Sequence, residues 1–243
     1  MSDYCHILGV RIDTLSEDEI LTHIHRWIDE GTAHQIATVN TEFVMAARGN
    51  QKFRQCLKDA DLAIADGAGI ILAAQLLKQA IPPRIAGVDF VQTLAGKAAK
   101  QNYSIYLLGG QGGVAQATAN ILTSLNAGLR IVGVDEGSPT DTDVIKRINM
   151  AKPDILLVAW GAPKQDVWIA EHKLDLNVPI MMGVGGTFDF LAGKQKRAPK
   201  VLRDFGLEWL WRLIREPKRW RRQLALPQMF GLILLHKLGI KIN

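Results

Sequence analysis

The stretch at residues 62–69 reads Leu62-Ala63-Ile64-Ala65-Asp66-Gly67-Ala68-Gly69. A short apolar run ends in a carboxylate, glycines follow, and an amphipathic run begins at Ile70. In an α/β protein this pattern predicts a buried strand that delivers Asp66 to its carboxyl end, where glycine lets a ligand approach the backbone. The alternative is that Asp66 only caps the following helix, because Asp is common at that position.

Apolar runs of this kind recur along the chain and alternate with helix-length segments. The predicted strands lie at residues 4–12, 35–39, 62–65, 104–108, 130–134, 155–159 and 180–184. Their regular spacing and continuous apolar character predict a mostly parallel sheet with helices on both faces. The predicted fold class is therefore α/β and Rossmann-like. A capping box, Ser16 to Glu19, is expected to open the first helix.

Charge divides the chain into two parts. The 243 residues carry a net charge of +5, but the segment from Lys194 onward holds 13 Lys and Arg against three acidic residues, and the rest is mildly acidic. We therefore predict an α/β catalytic domain at 1–193 and a basic helical appendage at 194–243. The positive charge of the appendage predicts an anionic partner, either nucleic acid or lipid. A chain truncated after Gly193 is expected to stay folded, because the last predicted strand ends at residue 184.

The appendage contains two helix-length runs, 207–215 and 217–235. Arg212, Arg215, Arg219 and Arg222 recur at helical spacing and form one predicted stripe beside tryptophan and leucine side chains. The apolar segment from Met229 to Leu235 is far shorter than the ~20 residues that span a bilayer. This combination is typical of a helix that lies at a membrane surface, and the alternative is a solvated charge stripe.

Cysteine and histidine usage gives little sign of a metal or disulfide framework. Cys5 and Cys56 have no CxxC spacing and follow no signal peptide, which indicates reduced thiols in a cytoplasmic protein. His23 and His25 would point apart on a helix. The triplet Asp141-Thr142-Asp143 has the letters of a metal-binding DxD motif, but its position favours the start of a helix. We therefore expect no metal site.

A glycine-rich segment follows the predicted strand at 104–108. Gly109, Gly110 and Gly112 precede a helix in a G-x-G-x-x-A pattern, and Asp135 ends the next predicted strand. This arrangement is typical of a helix N-terminus that binds a nucleotide diphosphate, with a carboxylate for a ribose hydroxyl. The alternative is a tight turn in an ordinary βα unit.

Polar residues also follow three other predicted strands. Thr38 and Asn40 lie at the end of the second strand, and Gln165 comes in the first turn of the helix after Gly161. The last strand is followed by Gly185, Gly186 and Asp189. Because the carboxyl ends of parallel strands meet at one edge, these groups are predicted to converge on one ligand site.

These motifs occur together in an order that resembles the WecG/TagA/CpsF family of bacterial glycosyltransferases, from about residue 7 to residue 224. The motifs that carry the resemblance are Thr38-x-Asn40-x-Glu42, Ala60-Asp61-x-x-x-Ala65-Asp66-Gly67, Arg84-x-x-Gly87-x-Asp89, Gly161-x-Pro163-x-Gln165-x-x-Trp168, Gly183-Val184-Gly185-Gly186-x-Phe188-Asp189, Arg197-Ala198-Pro199 and Gly206-Leu207-Glu208-Trp209-Leu210-x-Arg212-Leu213. One position departs from the family, because Ser138 and not an aromatic residue follows Gly137.

The resemblance implies transfer of a hexose or hexosamine from a UDP-sugar to a polyprenyl-diphosphate-linked saccharide in cell-surface polysaccharide synthesis. An N-acetylmannosamine-type sugar is favoured, and a UDP-glucose-dependent transferase of the same family is the alternative. The resemblance also implies inversion, no metal or other cofactor, and a peripheral site on the inner face of the plasma membrane. Whether the chain forms a homo-oligomer is left open by the sequence.

The resemblance also implies roles for individual residues. Asp66 becomes the general base for the acceptor hydroxyl, and Thr38, Asn40 and Gln165 line the same pocket. Arg84 is expected to assist the leaving diphosphate. The glycines and aspartates after the strands, with Arg212, Arg219 and Arg222 from the appendage, are expected to bind the UDP moiety in the absence of a metal.

Two other classes of function compete with this interpretation. An NAD-dependent oxidoreductase would use the glycine segment and Asp135, but no catalytic His, Lys or Tyr follows a predicted strand. A nucleic-acid-binding module would use the arginines of the appendage and show steep salt dependence. It would leave the polar strand ends without a role, so no nucleic-acid partner is expected.

Overall fold

The computed structural model describes residues 4–79, 84–217 and 220–240. The strands are β1 (Tyr4–Ile7), β2 (Val10–Asp13), β3 (His34–Val39), β4 (Leu62–Ala65), β5 (Ser104–Gly109), β6 (Arg130–Asp135), β7 (Ile155–Ala159) and β8 (Ile180–Gly183). The helices are α1 (Glu17–Glu30), α2 (Thr41–Gly49), α3 (Gln51–Asp59), α4 (Ala68–Leu76), α5 (Gly87–Gln101), α6 (Val114–Leu125), α7 (Val144–Ala151), α8 (Lys164–His172), α9 (Thr187–Leu191), α10 (Lys200–Asp204), α11 (Glu208–Arg215), α12 (Trp220–Gln223) and α13 (Ala225–Lys237).

Six of the strands form one parallel sheet in the order β4-β3-β8-β7-β5-β6. The predicted α/β, Rossmann-like fold is therefore confirmed. The strands β4, β3, β8 and β7 are neighbours in this order, and each of them is predicted from the sequence to end in a polar or glycine-rich segment. Their carboxyl ends consequently lie side by side along four of the six strands of the sheet.

Helices cover both faces of the sheet, which explains why its strands are apolar throughout. In β7, Ile155 and Leu157 belong to one buried cluster with residues of α1, α5, α6 and α9. Leu156 and Val158 point to the other face and pack against α7 and α8. Since successive strand residues face opposite sides, both sets must be apolar when both sides are buried.

The N-terminal segment differs from the prediction of a single strand over residues 4–12. It forms an antiparallel hairpin of β1 and β2 with a turn at Leu8 and Gly9, whose φ angles are 48° and 86°. Two successive residues with positive φ are typical of the tight turns that join hairpin strands. Gly9 is the residue in the sequence that indicates a turn. The alternation of apolar residues on both sides of it resembles one continuous strand, so the sequence did not predict the turn.

The hairpin covers the outer edge of β4 without pairing with it as a strand. The Asp13 carboxylate accepts a hydrogen bond of 2.6 Å from the Ala63 N–H. The Arg11 guanidinium donates to the Ala60 carbonyl at 2.7 Å. The Ala65 carbonyl accepts a third bond, from the Ile85 N–H, at 3.1 Å. The strand that precedes Asp66 is thus held on its outer side by side chains and a loop.

The C-terminal helices agree with the first predicted run, 207–215, whereas the second run, 217–235, is divided into two helices. Helix α11 ends at Arg215, and α12 and α13 follow as separate helices, so Arg212 and Arg215 lie on a different helix from Arg222. In α13, Met229 and Ile233 are fully buried in a cluster that includes Phe43 and Ile70. The described end of the appendage therefore packs into the α/β body. This packing argues against the expectation that a chain truncated after Gly193 stays folded.

Candidate active site

A cavity of about 340 Å³ lies at the carboxyl ends of β3, β4, β7 and β8. A smaller cavity of about 120 Å³ adjoins it. The main cavity is lined by these predicted site residues: Thr38, Asn40, Asp66, Gln165, Gly185, Gly186, Asp189, Arg212 and Arg222. Arg84 lines the smaller cavity. The expected convergence of polar strand ends on one site is thus what the structure shows.

Asp66 lies where the two cavities meet. Its carboxylate sits deep in the protein but keeps a partly exposed surface toward the cavities. Burial raises the pKa of Asp66 to about 6, partly offset by Arg84, while Glu208 raises it further and the Gly87 N–H lowers it. The pocket thus combines access for a ligand with a carboxylate that binds a proton near neutral pH, which suits general base catalysis.

The alternative role of Asp66 as a helix cap finds no support in the geometry. The N-cap of α4 is Gly67, with φ 92° and no side-chain hydrogen bond to the helix. In contrast, Asn40 does cap its helix, because its Oδ1 accepts a hydrogen bond from the Phe43 N–H at 3.1 Å. Asn40 also lines both cavities, so capping and ligand contact are compatible at that position.

Gln165 joins the ends of β7 and β8. Its Oε1 accepts hydrogen bonds from the Gly161 N–H at 2.9 Å and from the Gly185 N–H at 3.0 Å. The peptide bond between Ala162 and Pro163 is cis in the same loop. On the neighbouring strand, the Thr38 hydroxyl donates to the Gly183 carbonyl at 3.2 Å. Both polar side chains therefore fix the shape of the cavity wall as well as lining it.

A network of arginines and carboxylates closes the cavities on the side of the C-terminal helices. Glu208, the first residue of α11, lies 3.9 Å from Arg84 and 3.8 Å from Arg197. Arg197 also donates to the Asp89 carboxylate, at 3.0 Å through Nη2. Arg222 of α12 also lines the main cavity and donates to Glu42 at 2.8 Å. The motifs contain all of these acidic residues, but the sequence interpretation gave Glu42 and Glu208 no role in the site.

The arginines that the sequence assigned to the site have different positions. The Arg212 guanidinium lies over the Phe190 ring, 4.7 Å from its centroid, and contributes to both cavities. Arg222 lines the main cavity from α12. Arg215 instead stacks over Trp211, 4.9 Å from the ring. Arg219 falls outside the described residues.

Comparison with known proteins agrees with these motifs. Residues 5–242 match the Glycosyl transferase WecG/TagA/CpsF family. The chain belongs to this family. The Bacillus subtilis (strain 168) N-acetylglucosaminyldiphosphoundecaprenol N-acetyl-beta-D-mannosaminyltransferase is 33% identical over 203 residues, covering 83% of this chain and 79% of the relative. The Staphylococcus aureus (strain MW2) protein of the same name is 30% identical over 241 residues, covering 97% and 94%.

As a member of the WecG/TagA/CpsF family the protein is a glycosyltransferase. Family membership favours this activity over the oxidoreductase and the nucleic-acid-binding module that the sequence left as alternatives. A Bacillus spizizenii (strain W23) relative with the same printed name is 31% identical over 212 residues, covering 87% of this chain and 82% of the relative.

The glycine segment of this WecG/TagA/CpsF transferase lines neither cavity, although Gly109 pairs with Ala159 of the main cavity wall. Gly109, Gly110 and Gly112 are absent from the cavity linings, and so is Asp135. The Gly113 N–H donates to the Glu136 carboxylate at 2.6 Å, and this contact lowers the pKa of Glu136. Asp135 forms an ion pair with Arg147 at 2.5 Å. A diphosphate at this helix start would meet a carboxylate, so the geometry does not favour the nucleotide contacts predicted for these four residues.

The part of the chain that the structure describes contains neither a metal-ligand cluster nor a membrane-spanning helix. No group of three or more His, Cys, Asp or Glu side chains there could hold a metal ion. The Asp141 carboxylate of the DxD-like triplet pairs with Arg147 at 2.5 Å, just before α7. No described helix is long and apolar enough to cross a membrane.

Proposed function

We propose that the protein transfers an N-acetylmannosamine-type sugar from a UDP-sugar to a saccharide linked to a polyprenyl diphosphate. The observation that carries the proposal is the accessible, proton-binding carboxylate of Asp66 at the junction of two cavities. The names of the relatives describe transfer of an N-acetyl-β-D-mannosaminyl group to a diphosphoundecaprenol-linked N-acetylglucosamine. A WecG/TagA/CpsF transferase with this site suits a role in cell-wall polymer synthesis.

In the proposed reaction Asp66 accepts the proton of the acceptor hydroxyl. The acceptor oxygen forms a bond to the anomeric carbon while the bond from that carbon to the UDP oxygen breaks, so the configuration inverts. The electron pair leaves with UDP, whose charge is neutralised by Arg212 and Arg222 at the cavity. The donor occupies the main cavity, and the acceptor reaches Asp66 through the smaller cavity, beside Arg84 and the Trp209 side chain.

The test is direct transfer. The purified chain is incubated with UDP-N-acetylmannosamine, UDP-glucose and other UDP-hexoses, together with a short lipid-diphosphate-linked N-acetylglucosamine, and products are identified by mass spectrometry. We expect transfer of N-acetylmannosamine, with inversion of the anomeric centre detected by NMR. Preferential transfer of glucose would favour the UDP-glucose alternative, and no transfer from any donor would contradict the proposal.

We further propose that the reaction needs no metal. The cations that face the main cavity are arginines, and they take the place that Mg²⁺ holds in metal-dependent transferases. UDP should therefore bind with the same affinity in EDTA as in Mg²⁺, measured by calorimetry. Binding that disappears in EDTA and returns only with a divalent ion would contradict this proposal.

We also propose that the C-terminal helices hold the enzyme on the inner face of the plasma membrane. Large apolar side chains are exposed there, including Phe205 at 76%, Ile214 at 67% and Trp220 at 53%. They lie in the segment of the chain that is rich in arginine and lysine. Exposed apolar groups beside basic side chains favour binding to anionic lipid, where the lipid-linked acceptor also resides.

Sedimentation with vesicles that contain anionic lipid tests this surface. Ile214→Ser and Phe205→Ser should each weaken binding several-fold. Leu174→Ser is the matched control, because Leu174 is 91% exposed but follows α8 at the other end of the sheet. Equal binding by the three variants and the unmodified protein would contradict membrane docking through these helices.

A further inference from the structure

Three carboxylates line both cavities, and they differ in what neutralises them. Glu42 is paired with Arg222 at 2.8 Å on the rim. Asp66 lies at the junction of the cavities. Glu208 is 17% exposed and lies between Arg84 and Arg197, at 3.9 and 3.8 Å. Glu208 is therefore a mostly buried acidic group that the C-terminal helices bring to the active site.

Most of the charged side chains that act on Asp66 are arginines, and Glu208 is the carboxylate among them. Arg84 and Arg212 each lower the pKa of Asp66, whereas Glu208 raises it. Arg197, which also interacts with Asp66, is shared between Asp89 of α5 and Glu208. The remaining charged groups that line the main cavity are Asp189, Glu42 and Arg222, and the last two form a partly solvent-exposed ion pair.

A carboxylate surrounded only by arginines would be a poor base. Neighbouring positive charges favour its ionised form, so it would have little tendency to take a proton from a hydroxyl. The same arginines are needed nearby to neutralise a departing diphosphate. The site must therefore supply positive charge without weakening its base.

We propose that Glu208 is a positioning residue that keeps Asp66 effective as a base by engaging Arg84 and Arg197 and by offsetting the positive charge of the surrounding arginines. Because Glu208 belongs to α11, the C-terminal helices contribute to proton transfer as well as to cation supply. The inference rests on the proposed function of Asp66 as general base. It assigns to the appendage an acidic group that acts through Asp66 and not on the substrate.

The variants Glu208→Gln and Glu208→Asp test the role of the charge. The pH dependence of kcat/KM should show an acid limb that reflects Asp66. In Glu208→Gln this limb should move to lower pH by roughly half a pH unit or more, and the plateau rate should fall about tenfold. Glu208→Asp keeps the negative charge but places it farther from the arginines. Its acid limb and plateau rate should lie between those of the unmodified protein and those of Glu208→Gln.

Glu42→Gln is the matched control, because Glu42 lines the same two cavities but pairs with the solvent-exposed Arg222 and not with the partly buried arginines beside Asp66. Its acid limb should stay at the unmodified position. Carbon-13 NMR of the Asp66 carboxyl, assigned by its loss in Asp66→Asn, gives the same titration without any turnover. If Glu208→Gln does not fold, a Glu208→Asp protein whose Asp66 titrates as in the unmodified chain overturns the proposal.

The two proposals fail in different ways. Absence of transfer by the unmodified protein contradicts the proposed function, while the NMR titration still decides whether Glu208 acts on Asp66. An active Glu208→Gln protein with an unchanged acid limb and an unchanged Asp66 titration overturns the role of Glu208 and leaves the transferase activity standing.

Discussion

Asp66 and Asp166 are carboxylates whose pKa values are raised to about 6 and about 7, and only one of the two can reach a ligand. Asp66 opens on both cavities, and burial raises its pKa to about 6 among several arginines. Asp166, in α8, is 0% exposed, and burial raises its pKa to about 7. Burial acts on both groups in the same direction. Access and nearby opposite charge, not the pKa alone, distinguish a candidate base from a buried acid.

The surroundings of Asp166 show why it is excluded from the reaction. Neither carboxyl oxygen has a hydrogen bond of normal geometry among the described residues. A Cβ atom placed on Gly183 would lie 2.6 Å from its Oδ1, which leaves no space for a substrate. The Asp166 backbone carbonyl accepts from the Gln35 amide at 2.9 Å and from the Cys56 thiol at 3.1 Å.

The largest expected effect separates the two carboxylates by activity. Asp66→Asn should lower turnover by roughly 10²–10⁴-fold, the usual contribution of a general base, while the protein stays folded. Asp166→Asn should stay within several-fold of the unmodified rate. Since the base acts in its ionised form, the unmodified kcat/KM should fall as the pH drops below about 6. Near-normal turnover in Asp66→Asn would remove the distinction between the two carboxylates.

A second prediction separates them by stability. The raised pKa of Asp166 means that the folded state holds its proton up to about pH 7, whereas the unfolded chain releases it near 3.8. Its contribution to stability is therefore complete below about pH 3.8 and is lost progressively as the pH rises to about 7. From pH 5 to pH 9 the free energy of unfolding should fall by up to a few kcal/mol more in the unmodified protein than in Asp166→Asn. Urea titrations measure the two slopes, and parallel slopes would show that Asp166 does not titrate in the folded protein.

The smallest expected effect concerns the exposed ion pair at the cavity rim. The Arg222 side chain is 53% exposed, and its contact with Glu42 joins α12 to α2. A double-mutant cycle with Glu42→Gln and Arg222→Gln should give a coupling energy of about 0.2–1 kcal/mol in urea unfolding, falling with added salt. A coupling of several kcal/mol would show that the rim, like the cavity floor, is shielded from solvent.

Much of the fold could be predicted from the sequence because the relevant signals are local. Continuous apolar runs ending in Asp66, Asn40 or Gly185 marked buried parallel strands, and the predicted capping box of Ser16 and Glu19 is present in α1. The convergence of polar strand ends followed from the geometry of parallel sheets. The hairpin turn at Gly9 was missed because its two strands share one apolar alternation.

The parts that could not be predicted depend on contacts between distant segments. No residue near Gly113 in the sequence indicates that its N–H donates a hydrogen bond to Glu136, 23 residues later. The burial of Met229 against Phe43 and Ile70 likewise depends on tertiary packing, so the basic segment could not be recognised as part of the core. The proposed role of Glu208 rests on its distances to Arg84 and Arg197, which tertiary packing determines.

The side chains that cover β4 also bear on how the enzyme can assemble. An edge strand with open backbone groups can add a strand from another molecule and extend the sheet. Here Asp13, Arg11 and the Ile85 N–H already occupy backbone groups on the outer side of β4 and at the residues just before it. The candidate base thus follows a strand with no room for a further neighbour. Copies of this transferase that associate must do so through other surfaces, and sheet extension beside the active site is closed to them.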